Sequence, residues 1–253
     1  MPNQLDVVIQ PIVVRFSIQD GEIIYHLAGS AEGQLDNMER LMGVDPNKVE
    51  LFDSNLGYLP VSTTVLIRGE KNVLVDPGNY HTGFYGHLGL GLKKFGLSLE
   101  DIDVVIVTHC HHDHMASTFK LKNAQICIGS GELDFAASIY GTPGVNFQVG
   151  ENRNFLEVPL NGILEIMDGV QVISTPGHTP GHVSVLVDTG MESILVTGDA
   201  IMTQREYEFG EHSIWYSGKQ LEEVKKSRER IQLVKPSIVM PGHDRGFRPG
   251  SLI

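Results

Sequence analysis

The chain has 253 residues, 41% of them apolar and 20% charged, which is the mix of a globular protein with a sizeable core rather than of a disordered chain. Its 19 basic and 31 acidic residues leave a net charge of −12, which argues against broad sequence-independent binding of nucleic acid. Two cysteines are too few for a disulfide framework, and no stretch reaches the roughly 18 apolar residues of a membrane span. With no basic-then-apolar leader at the N-terminus, the expectation is a cytoplasmic chain without a membrane partner.

In chain order, β-branched runs bounded by Gly, Pro, Asn or Asp predict ten strands. They are Val13–Ser17, Ile23–Leu27, Thr64–Ile67, Val73–Val75, Val104–Thr108, Gln125–Ile128, Gln171–Ser174, Ser184–Asp188, Ser193–Thr197 and Ile238–Met240. Two pairs read as hairpins, one turning around Gly69–Asn72 and the other around Thr189–Glu192. Helices are expected at Leu35–Met42, Phe84–Phe95, Gly131–Ser138 and Lys219–Gln232. In the last of these, Leu221, Val224, Ile231 and Val234 fall near one face, with mixed charges opposite. The order strand pair, helix, strand, His-bearing loop occurs twice, which points to a pseudo-duplicated βα sandwich with helices outside two sheets. Residues 16–60 fit this scheme poorly and are expected to be an insertion near the site or a homo-oligomer contact within a single domain spanning 1–253.

Eleven histidines are many for this length, and their places matter more than their number. His109–Cys110–His111–His112–Asp113–His114 directly follows the apolar run VVIVT. Imidazole and carboxylate are the donors used by Zn²⁺, Fe²⁺ and Mn²⁺, and six adjacent positions cannot all reach one ion. Further donors sit in Gly-flanked turns: His178 in STPGHTPGH, Asp199 in ILVTGDA and His243 in IVMPGHD. Glycine there lets backbone approach closely. Together His109, His111, Asp113, His114, His178, Asp199 and His243 suit two divalent ions with one shared carboxylate, Zn²⁺ first and Fe or Mn next.

These four motifs in this order resemble the metallo-β-lactamase-fold hydrolase superfamily, over roughly residues 60–245. The resemblance implies an α/β fold, a four-layer αββα sandwich. It implies one metal on His109, His111 and His178, another on Asp113, His114 and His243, and Asp199 between them. It also implies that Asp76 supports a ligand without binding metal, and His182 is expected to hydrogen-bond its own turn. A bridging hydroxide would then attack the substrate, with Asp113 and Asp199 as catalytic carboxylates taking its proton or hydrogen bonds.

The motif spacing is similar to the acyl-homoserine lactonase branch, so the expected partner is a small-molecule ester or lactone. That branch has a Tyr where this chain has Met202; Tyr207 and Tyr216 are candidates to replace it. Met202, Tyr207, Trp215 and Tyr216 are the expected substrate-pocket residues. The C-terminal third is also similar to single-domain members that include a histone pre-mRNA nuclease, which makes a phosphodiesterase the second reading and a non-catalytic metal-binding module a distant third. Against nucleic acid stand the net charge and the glutamates Glu222, Glu223 and Glu229, which dilute the KKSRER run.

Overall fold

The computed structural model describes residues 2–9, 14–19, 22–27, 62–78, 87–213 and 216–251. Thirteen strands are seen among them: β1 (Gln4–Ile9), β2 (Val14–Gln19), β3 (Glu22–Leu27), β4 (Thr64–Arg68), β5 (Asn72–Val75), β6 (Val104–Ile106), β7 (Gln125–Gly129), β8 (Phe155–Val158), β9 (Ile163–Met167), β10 (Val170–Ser174), β11 (Val183–Asp188), β12 (Ser193–Gly198) and β13 (Ile238–Pro241). The helices are α1 (His87–Lys93), α2 (His112–Met115), α3 (Glu132–Val149), α4 (Gln204–Phe209) and α5 (Gly218–Val234). One sheet runs β1-β4-β5-β6-β7-β8, a second runs β13-β12-β11-β10-β9, and β2 and β3 form a two-stranded pair.

Alternation along the strands builds the layers. Val65, Ile67, Val73, Val75, Val104 and Ile106 of the first sheet share one buried cluster with Val170, Val172, Val185, Val187 and Val196 of the second. Their neighbours Leu66, Leu74, Val105, Ile126 and Ile128 turn to the other face and pack with Leu88 and Leu92 of α1 and Ala136 and Val145 of α3. Leu195 and Val239 do the same on the second sheet, against Tyr207 of α4 and Ile231 of α5. Successive side chains of a strand point to opposite faces, so each strand feeds two apolar layers. The result is the expected αββα sandwich, and it repeats itself. β4 and β5 are antiparallel with β6 parallel to β5, while β11 and β12 are antiparallel with β13 parallel to β12.

All ten predicted strands are present, most with ends shifted by a residue or two. The β6 run stops at Ile106 rather than Thr108, because the Thr108 amide donates to the Asp76 carboxylate at 2.8 Å and leaves the ladder. The helix expected at Gly131–Ser138 continues to Val149 past a break at Gly141, where φ is 70° and Pro143 follows. The expected helix at Phe84–Phe95 is seen as His87–Lys93, residues 84–86 lying outside the described part. Three strands were not expected: β1, β8 and β9. The Leu35–Met42 helix lies outside the described residues; of residues 16–60, expected to be an insertion or oligomer contact, 16–19 and 22–27 belong to the antiparallel β2–β3 pair and the rest lie outside the described residues. No helix among the described residues is long and apolar enough to cross a membrane.

Candidate metal centre

The parallel pairs β5–β6 and β12–β13 end at the same edge of the sandwich, and the loops beyond them carry the histidines. Backbone hydrogen bonds from Thr63 to Gly242 (2.8 Å) and from Val183 to Thr108 (2.9 Å) tie the two sheets together at this edge. His109 and His111 lie on the loop after β6, and Asp113 and His114 occupy the one-turn helix α2. His178 sits in the turn between β10 and β11, Asp199 directly after β12, and His243 two residues after β13. Rigid strands therefore fix the origin of every donor.

Two donor sets result, and Asp199 faces both. In the first, His111 Nδ1 lies 2.9 Å from His109 Nε2 and 3.0 Å from His178 Nε2. Asp199 Oδ2 completes it, 3.3 Å from His178 Nε2 and 3.9 Å from His109 Nε2. In the second, Asp113 Oδ2 is 3.4 Å from His114 Nε2 and 3.2 Å from His243 Nε2. Asp199 Oδ1 is 3.3 Å from each of the same two nitrogens. Donors at the corners of a tetrahedron about 2.0–2.1 Å from a zinc ion stand about 3.3–3.4 Å apart, so both sets have the size of a metal site.

The buried polar groups make the same point. His114 Nε2 and Asp199 Oδ1 are buried without a hydrogen-bond partner among the described residues, although they face each other. Orphaned buried polar atoms are costly, and a shared cation satisfies both. Burial holds His109 and His111 below the ordinary histidine range and brings His178 down to about 3, which keeps their lone pairs available. Burial also opposes charge on His243, yet Asp199 and Asp113 push it up to about 10. The carboxylates thus favour positive charge at His114 and His243, and a bound metal would supply that charge in place of protons.

Support comes from a ring of hydrogen bonds beneath the donors. Asp76 accepts from His114 Nδ1 at 2.7 Å, from the Thr108 amide at 2.8 Å and from the Thr108 hydroxyl at 2.7 Å. This fixes the His114 tautomer and aims Nε2 at the centre. His182 hydrogen-bonds Thr175 Oγ1 at 2.9 Å, within its own turn, and stacks on the His109 ring at 5.1 Å. Cys110 is buried in the apolar cluster beneath the first sheet, away from the donors.

Glycine is required at two of the motif turns. A Cβ on Gly242 would stand 2.1 Å from Asp199 Oδ1, and one on Gly177, where φ is +141°, would stand 2.6 Å from the Val224 amide.

The pocket residues divide. Tyr216 contacts His178 Nδ1 through its hydroxyl and lines a groove beside His111 and His178. Tyr207 does not line that groove: it packs edge-on against Phe247 at 5.4 Å in the core between α4 and the second sheet. Met202 does not line it either, and uses its carbonyl to accept from the His243 amide at 3.0 Å. Trp215 lies outside the described residues. Neither remaining tyrosine stands free for a leaving group, since Tyr216 is engaged with His178.

One residue was missed altogether. Glu132, fully buried at the start of α3, accepts from the Cys110 amide at 2.9 Å and from the Gly181 amide at 2.8 Å. It thereby links the His109–His111 loop to the His178 turn. Its only sequence signal is an acid in the first turn of a predicted helix, which is ordinary.

Comparison with known proteins agrees with this geometry. The family profile of the metallo-β-lactamase superfamily matches residues 56–243. An N-acyl homoserine lactonase of Bacillus cereus is 32% identical over 220 residues, covering 77% of this chain and 85% of that protein. The solved structure of a quorum-quenching N-acyl homoserine lactone hydrolase is 27% identical with a TM-score of 0.61, covering 74% of this chain and 80% of its own. A B. thuringiensis enzyme of similar fold, solved with N-decanoyl-L-homoserine at its active site, has a TM-score of 0.64 at 20% identity, covering 96% of this chain and 93% of its own.

Proposed function

The chain belongs to the metallo-β-lactamase superfamily and is a metal-dependent hydrolase, and on that footing we propose that it holds two divalent ions, zinc first and iron or manganese next, and hydrolyses a small ester or lactone. One observation carries the reading: each carboxylate oxygen of Asp199 faces a different set of imidazoles at 3.3–3.9 Å. His109, His111 and His178 would hold one ion, and Asp113, His114 and His243 the other. Ions bound there lower the pKa of a water and polarise the oxygen of a substrate carbonyl.

The protein's own residues orient and move protons. Asp113, whose Oδ2 faces His114 and His243, is assigned to take the proton from the attacking water at its other oxygen, Oδ1. The same group returns it to the alcohol as the C–O bond breaks. Asp76 and Tyr216 keep His114 and His178 in register. The lactonase relative favours a lactone among esters. Phosphodiesters come second, since the chain carries a net charge of −12.

The test is hydrolysis by zinc- or manganese-loaded protein of N-hexanoyl homoserine lactone, an aryl ester and a thioester. Turnover of at least one, lost in Asp113→Asn, is expected. A loaded protein inert on all three would sink the proposal.

A further inference from the structure

The groove beside the donors has about 950 Å³, enough for a drug-sized ligand. Its two walls differ in chemistry. Phe135, Leu160 and Pro180 form one side, and the Phe135 ring sits 6.0 Å from that of His111. One face of α5 forms the other. Ser227 and Gln220 fasten that helix to the His178 turn by hydrogen bonds to the carbonyls of Pro176 and His178.

The fold sorts charges that the sequence mixes. Lys219, Lys226 and Arg230 line the groove together with Glu223, whereas Glu222 and Glu229 do not. Glu223 pairs with Lys219 at 3.7 Å. Lys226 and Arg230 have no ion pair among the described residues, so the groove keeps two uncompensated cations in a chain of net charge −12. Lys226 and Arg230 follow Gln220 by about 9 and 15 Å along the helix axis.

We propose that this groove binds the acyl part of the substrate and that Lys226 and Arg230 read an anionic group, a carboxylate or a phosphate, at its far end. The substrate class is then an ester or lactone with an apolar chain ending in an anion. This rests on the hydrolase reading above. The reaction is unchanged: water oxygen bonds the carbonyl carbon, the C–O bond breaks, and a carboxylate, an alcohol and a proton result. A nucleic acid is a poorer occupant, because two cations beside an apolar wall neutralise few phosphates.

The experiment compares phenyl octanoate with the monophenyl ester of suberic acid, its terminally carboxylated counterpart, and with the 8-phosphooxy analogue, using metal-loaded full-length protein. An anionic ester favoured in kcat/KM by about tenfold or more is expected, with the preference shrinking at high salt. The better of the two anionic esters identifies carboxylate or phosphate. In Lys226→Ala/Arg230→Ala the ratio of anionic to neutral ester falls toward one. Hydrolysis of phenyl octanoate with a ratio near one in the wild type overturns the groove proposal and leaves the hydrolase reading standing. No hydrolysis of any ester overturns the hydrolase reading itself. Single-stranded RNA cleaved with a higher kcat/KM than either anionic ester overturns the proposal in favour of a polymer.

Discussion

Replacing Glu132 by Gln alters one group that serves two loops at once. In the wild type Oε1 accepts from Cys110 and Oε2 from Gly181, at 2.9 and 2.8 Å. Glutamine offers a single oxygen, so one amide meets an NH₂ group and loses its acceptor. Losing a buried hydrogen bond to a charged acceptor costs about 1.5–3 kcal/mol, and the remaining bond weakens by roughly another 1. Burial raises the Glu132 pKa, so removing the charge returns part of that cost. The expected net loss is about 2–3 kcal/mol. More telling is where it falls, since Cys110 lies between His109 and His111, and Gly181 is three residues after His178. Affinity for one of the two proposed metals should fall about 10–100-fold, as for other groups that orient ligands. The assay pairs denaturation with metal titration and uses Val145→Ala, a core-facing residue of α3 itself, as a control for stability alone. Metal affinity in Glu132→Gln equal to that in Val145→Ala would show that Glu132 does not hold the two loops in register for the metal.

Four other outcomes follow from the geometry. Gly242→Ala should keep the fold but lose metal, because its Cβ would overlap Asp199 Oδ1; circular dichroism with elemental analysis reads both. Tyr216→Phe frees His178 Nδ1 and should weaken metal binding by about tenfold, measured by competition with a chelator. Asp113→Asn should leave one tightly held metal per chain, visible in the same titration. Glu206 gives a pH test: burial pushes it up to about 7 against the pull of Arg228 at 3.4 Å. An acid whose folded pKa is raised stabilises most below its unfolded pKa and loses that contribution as pH rises through the folded value. Stability of the wild type relative to Glu206→Gln should therefore fall by about 3 kcal/mol from pH 4.5 to above 7. A flat or rising difference in urea midpoints argues against it.

The donors were legible because each is local. HCHHDH, GHTPGH, TGD and PGHD each follow a strand directly, so reading the strand places the ligand. Strand pairing was legible for the same reason, through two hairpins whose turns carry Gly or Asn. β1, β8 and β9 were not. β9 is an edge strand with Ile163 59% exposed and its apolar residues interrupted by Glu165, so its pattern is weak. Glu132 and Tyr216 act across 22 to 49 residues of sequence, where no local pattern can signal a contact. Tyr207 was misplaced for the converse reason: an aromatic close to Asp199 in sequence sits on the buried side of α4. The charges of α5 average out in sequence and separate only once one face is turned to the groove.

The proposed two-metal centre is built on Asp199. Elemental analysis of the full-length protein, loaded with zinc and then dialysed, tests it most directly. Two ions per chain are expected in the wild type and a clear loss in Asp199→Ala. A wild type that retains no ion, or an Asp199→Ala protein that still holds two, would contradict it.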